Sequence, residues 1–148
     1  MPDHGRLALK QWAGGEQPIV YYFARDLFFG VRLAEGLARL QVDARPLAAT
    51  TDRPLLHDAA LALVDLSAPV TLWQPLLEAA RDVHTPVLAF GSHMDQERWR
   101  LARTLGATQI VANSHLLAHF SELVLHLLPS TPPPPQESPP AGTLNARS

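Results

Sequence analysis

The sequence predicts a doubly wound α/β domain in which five parallel strands, in the order 2-1-3-4-5, are covered by helices on both faces. Three observations carry this expectation. Short apolar runs recur along the chain, as in strands buried on both faces. Segments with apolar residues at helical spacing alternate with them. The runs end abruptly in polar or small residues (Arg25-Asp26, Asp65, Gly91-Ser92-His93, Asn113-Ser114), where a strand would open toward solvent.

Length and composition bound the possibilities. A chain of 148 residues has room for one domain with one sizeable core. A net charge of −2 supplies no field to recruit nucleic acid or an anionic membrane. The absence of cysteine excludes disulfides, iron–sulfur clusters and thiol catalysis. With no signal peptide and no apolar run of spanning length, the expected compartment is the cytoplasm.

Residues 1–18 read as a leader, with Gly14-Gly15 and Pro18 as breakers. Ile19 to Ala24 is β-branched and aromatic, hence the first strand. A helix from Leu27 to Gln41 follows, with Leu33, Leu37 and Leu40 on one face; Gly30 and Gly36 weaken it by roughly 1 kcal/mol each. Val42 to Ala48 is the second strand, and Pro46 places it at an edge. Thr51 or Asp52 caps an expected short helix from Arg53 to Ala60.

Leu61-Ala62-Leu63-Val64-Asp65 is the third strand and the centre of the pattern: four apolar residues end in a carboxylate. In open α/β sheets ligands sit at the carboxyl ends of strands, so Asp65 is the first candidate for function. It can equally cap the turn that follows. The next helix places Trp73, Leu76, Leu77, Ala80 and Val83 on one face, and Pro75 requires its start to be near. Val87 to Phe90 is the fourth strand. Asp95 to Leu105 is the fourth helix, stopped by Gly106. Gln109 to Ala112 is the fifth strand, and a helix from about His115 to Leu128 closes the domain.

From Pro129 the composition changes: seven of the fourteen prolines lie between Pro129 and Pro140. Residues 129–148 are expected to form a proline-rich disordered tail, with 19–128 as the folded domain. The five strands and five helices then give the flavodoxin-like arrangement, whose cleft opens at the ends of strands one and three. That cleft collects Arg25, Asp26, Asp65, Ser67, Gly91, Ser92, His93, Asn113 and His115.

Asp26 directly after strand one, Asp65 ending strand three, Pro69 four residues later and Gly106-Ala107 before strand five resemble the receiver (CheY-like) domain of bacterial response regulators. The resemblance covers about Ile19 to Leu128, and its spacing matches without gaps from Gly91 through Asn113. In that family two adjacent acids follow strand one, and an aspartate ending strand three accepts a phosphoryl group from a histidine kinase. A Thr or Ser ends strand four and a Lys ends strand five. The resemblance therefore makes Asp65 the phosphoacceptor candidate, with Asp26, Asp65 and the Ser67 carbonyl as the minimum set for Mg²⁺.

Three positions depart from the pattern. The first acid is Arg25, the hydroxyl position is Gly91 with Ser92 beside it, and the lysine position is Asn113. Asn113 offers only a neutral hydrogen bond, whereas Arg25 either replaces the lysine's charge or pairs with Asp65. The expectation is a divergent or pseudo-receiver in which Arg25 self-neutralises Asp65, binding Mg²⁺ weakly at most and requiring no other cofactor. Output in this family runs through the surface of helix four, strand five and helix five. Here that surface, near Trp99 and Arg103, is expected to meet a protein partner (a kinase or an output protein) or a second copy of the chain.

Other chemistries have less support. Asp26, Asp65, His93 and His115 are suitable types for a transition metal but lack tight ligand spacing. Ser92, His93 and Asp95 are hydrolase residue types without a nucleophile elbow. Gly91-Ser92 at a helix start suits an anion without the glycine-rich phosphate signatures. The expectation is a stand-alone, non-enzymatic signalling or interaction module. A working phosphoacceptor receiver and a small flavodoxin-like enzyme are the alternatives.

Overall fold

Parallel strands joined by crossovers dominate the computed structural model, which describes residues 17–48 and 53–129. The leader up to residue 16, the cap candidates Thr51 and Asp52, and the tail beyond Pro129 lie outside the described residues, as do the expectations placed on them. The strands are β1 (Ile19–Phe23), β2 (Asp43–Pro46), β3 (Leu61–Asp65), β4 (Val87–Gly91) and β5 (Gln109–Ala112). They form one sheet in the order β2-β1-β3-β4-β5, parallel throughout. The helices are α1 (Leu27–Arg39), α2 (Val70–Asp82), α3 (Gln96–Thr104), α4 (Asn113–Ala118) and α5 (Phe120–Leu127).

Strand periodicity divides the core. Val20, Leu61, Leu63, Leu88 and Phe90 face α1, α4 and α5, where they meet Leu33, Leu37, Leu116 and Val124. Ala62, Val64, Val87 and Ala89 face the other way, onto Trp73, Leu77 and Ala102 of α2 and α3. All five residues of β3 and of β4 are buried, because helices cover both faces of the sheet there. β2 lies at the edge, where Pro46 is tolerated.

Two expected helices differ from those observed. Residues 53–60 form no helix. Eight residues are too few to be helical without tertiary help. Tertiary contacts instead hold an irregular segment with a turn in which the Ala59 amide bonds Leu56 O at 3.0 Å: Arg53 reaches Asp82 at 2.6 Å and Glu78 at 3.3 Å on α2. Leu56 is buried and its carbonyl accepts from Thr85 Oγ1, while the Ala60 amide bonds Ile19 O at 2.8 Å.

The last helix is broken rather than continuous from His115, and it begins earlier, at Asn113. His119, at φ −129° and ψ 35°, ends α4 and starts α5. The break seats Phe120 against α1: a Cβ at Gly36 would lie 2.6 Å from the Phe120 ring. Gly36 is thus required by a close approach. Val83, expected on the buried face of its helix, is 39% exposed as the C-cap of α2, and Ala79 is buried instead.

Candidate functional site

Because all five strands run the same way, Arg25, Asp65, Gly91 and Asn113 arrive at one end of the sheet. Asp65 is 1% exposed there, and a carboxylate so buried needs partners. The chain provides three: Oδ2 accepts from the Arg25 amide at 2.8 Å, and Oδ1 accepts from the Ser67 amide at 2.9 Å and from Ser67 Oγ at 2.6 Å. Asp65 thereby ties the β1–α1 connection to the β3–α2 connection. Ser67 itself is exposed, and its hydroxyl bonds the buried carboxylate.

Asp26 has a separate task. With extended backbone at φ −132°, it N-caps α1, Oδ1 accepting from the Phe29 amide at 3.0 Å. Its Oδ2 lies 3.6 Å from the Arg25 guanidinium, with both side chains largely exposed. The expected pairing of Arg25 with Asp65 is therefore corrected: backbone holds Asp65, and the side-chain charge goes to Asp26. The cause is local, since an amide two residues beyond a strand end is fixed in place whereas a long side chain follows the nearest solvated anion. Both Asp65 oxygens and the Asp26 carboxylate are engaged within the chain.

Among the described residues no group of three or more His, Asp or Glu is gathered to hold a metal, which removes the set Asp26, Asp65, His93 and His115. His115 instead packs against His119, the rings tilted by 40° with centroids 4.7 Å apart. The Ser92, His93 and Asp95 grouping also separates. Ser92 Oγ accepts from the Met94 amide, the His93 carbonyl accepts from Gln96, and Asp95 pairs with Arg98 at 3.0 Å.

Gly91 lies in a tight space: a Cβ there would be 3.3 Å from Leu66 Cβ and 3.6 Å from Trp99 Nε1. Leu66 and the Trp99 indole thus occupy the place where a Ser or Thr side chain would project. Trp99 is half-buried on the α2–α3 core, and its Nε1 has no protein partner. Asn113 opens α4, and its buried Oδ1 likewise has none.

Sequence reasoning missed Arg98. Its Nη1 donates to Leu66 O at 2.6 Å and also to Ala68 O, the two carbonyls that flank Ser67. The only signal was Asp95 three residues earlier, a spacing that reads as an ordinary surface pair on a helix.

No protein-family model matches the chain, and no curated protein matches it. Solved structures do. The Vibrio cholerae chemotaxis protein CheY4 superposes with a TM-score of 0.62 at 15% identity, over 76% of this chain and 99% of that one. A CheY-like response regulator protein from Mesorhizobium loti gives 0.58 at 18%, over 76% and 99%. A response regulator receiver domain from Rhodospirillum rubrum gives 0.60 at 16%, over 77% and 99%. With the strand order above, these establish that the chain has the receiver-domain fold.

Proposed function

We propose that this chain is a receiver-like signalling and interaction module whose acceptor site is closed by its own loop and whose output passes through protein contacts rather than turnover. The observation that carries this reading is the engagement of both Asp65 oxygens by Arg25 N, Ser67 N and Ser67 Oγ. A phosphoryl donor would have to displace the serine hydroxyl first. Arg25, Gly91 and Asn113 stand where the resemblance calls for an acid, a hydroxyl and a lysine, which supports the same conclusion. Mg²⁺ affinity is weak in this reading, and the compartment is the cytoplasm.

The partner in this reading is a kinase, an output protein or a second copy, seated on α3, β5 and the α4–α5 pair. Arg100 and Arg103 are exposed on that side. Among the described residues no helix is long and apolar enough to cross a membrane.

A working phosphoacceptor receiver is the second reading. The position of Asp65 at the carboxyl end of β3, bonded to the exposed Ser67, favours it. Labelling by acetyl phosphate with Mg²⁺ separates the two. The closed site predicts negligible labelling of wild type, a gain in Ser67→Ala, and none in Asp65→Asn. Efficient labelling of wild type, lost only in Asp65→Asn, establishes the second reading instead.

A further inference from the structure

We propose that Arg98 is a positioning residue that holds Ser67 on Asp65 and so couples the carboxyl end of β3 to helix α3. The carbonyls before and after Ser67, on Leu66 and Ala68, both accept from the same guanidinium nitrogen. Turning these two carbonyls toward α3 leaves the Ser67 amide and hydroxyl facing Asp65 Oδ1, at 2.9 and 2.6 Å. The guanidinium is fixed from its other side, where Nε lies 3.0 Å from Asp95 Oδ2. A planar fork can serve carbonyls and carboxylate at once, and such charge-assisted bonds are stronger than neutral ones. Trp73 Nε1 donates to Ala68 O at 3.0 Å and anchors the far side of the loop in the core.

Hydrogen bonds joined through the loop backbone therefore link the start of α3, through Arg98 and Ser67, to Asp65 and on to the Arg25 amide. With Arg98 engaged, the loop is closed over the carboxylate. If Ser67 leaves Asp65, the carbonyls turn, Arg98 loses its acceptors, and the first turn of α3 loosens. By linkage the effect is equal in the opposite direction. Arg98 also lines an open groove of about 590 Å³ with Val70, Asp95, Leu101 and Thr104, so a binder seated there touches the clamp itself. The coupling rests on these hydrogen bonds and is independent of phosphoryl chemistry, so labelling experiments do not decide it.

Native-state amide exchange of the full chain decides it, with wild type, Arg98→Gln, Arg98→Lys, Ser67→Ala and the double variant Ser67→Ala/Arg98→Gln. Arg98→Gln is expected to speed exchange at the Ser67 and Arg25 amides about tenfold, and Ser67→Ala to speed exchange at the Trp99 amide by a similar factor. Core amides such as Ala62 are expected to keep wild-type rates. Arg98→Lys, which keeps the charge but lacks the fork that serves the carbonyls and Asp95 together, restores Ser67 protection only in part. The double variant is no faster than the faster single one, because one line of bonds is broken only once. Effects of Arg98→Gln confined to α3, equal acceleration at every amide, or a double variant equal to the product of the singles overturns the proposal. Should Arg98→Gln not fold, Ser67→Ala reads the coupling from the other end: fully protected α3 amides overturn it.

Discussion

Arg25 meets Asp65 through its main chain, the amide nitrogen lying 2.8 Å from Oδ2, while its guanidinium lies 3.6 Å from Asp26. The contact on the buried carboxylate is thus independent of which side chain stands at position 25. Arg25→Ala should change stability by no more than about 0.5 kcal/mol, as at other exposed positions. Asp65→Ala removes the acceptor of three donors and should cost roughly 3 kcal/mol or more. Urea denaturation of both variants checks this. Similar losses in the two would mean that the guanidinium, not the amide, secures Asp65.

The two glycines of α1 should respond in opposite directions. A Cβ at Gly30 meets nothing within 4 Å, so Gly30→Ala should stabilise by roughly 0.5–1 kcal/mol through helix propensity. At Gly36 the Phe120 ring lies 2.6 Å from the new carbon. Overpacking of about 1–3 kcal/mol outweighs the propensity gain there, and Gly36→Ala should lower the thermal midpoint. A midpoint raised by both substitutions would show that α5 yields easily.

The contrast between these glycines marks what was legible in the sequence. Both looked alike as helix-weakening residues, because nothing local says which one a distant ring will approach. Strands β3 and β5 were legible to the residue, since their apolar runs end in Asp65 and before Asn113. The helix expected over 53–60 was not, because Arg53, Leu56 and Ala60 find partners on α2, Thr85 and Ile19 that no local pattern encodes. At the site, the residue types at the strand ends were readable. Their hydrogen bonds were not: Arg25 acts through its backbone, and Arg98 acts on carbonyls some thirty residues away in sequence.

The Gln74 amide, followed by the Arg53 guanidinium, holds the Glu78 carboxyl below the usual carboxylate range. A group with a depressed folded-state pKa contributes stability above its unfolded value and loses it as pH falls through the folded one. The contribution is therefore present at neutral pH and disappears on the acid side of the usual carboxylate range. Gln74→Ala and Arg53→Ala should each raise the Glu78 pKa in a carboxyl NMR titration. An unmoved titration in both would refute the assignment of cause.

The proposed output surface makes Arg103, exposed in the last turn of α3, a suitable reporter. Arg103→Glu reverses a charge without disturbing the core. Loss of its favourable interaction with the helix carboxyl end costs only about 0.5 kcal/mol. Partner affinity, or self-association measured by sedimentation, should fall about tenfold, with a larger effect at low salt. Unchanged association at every salt concentration would remove this face from consideration.

Gly91 sits where any added side chain would meet a pinned neighbour. Introducing a hydroxyl as Gly91→Ser places a Cβ 3.3 Å from Leu66 Cβ. Leu66 has little room to retreat: its amide bonds Phe90 O at 2.8 Å and its carbonyl accepts from Arg98 at 2.6 Å. Strand propensity favours serine over glycine by less than about 1 kcal/mol, whereas crowding a pinned neighbour costs about 1–3 kcal/mol. Gly91→Ser should therefore destabilise the domain by about 1 kcal/mol in urea denaturation. Combined with Arg98→Gln, which frees the Leu66 carbonyl, the added cost of the serine should shrink. If Gly91→Ser is neutral in the wild-type background and equally so with Arg98→Gln, Leu66 is not pinned. The glycine would then need an explanation other than the packing of Leu66 and Trp99 over the end of β4.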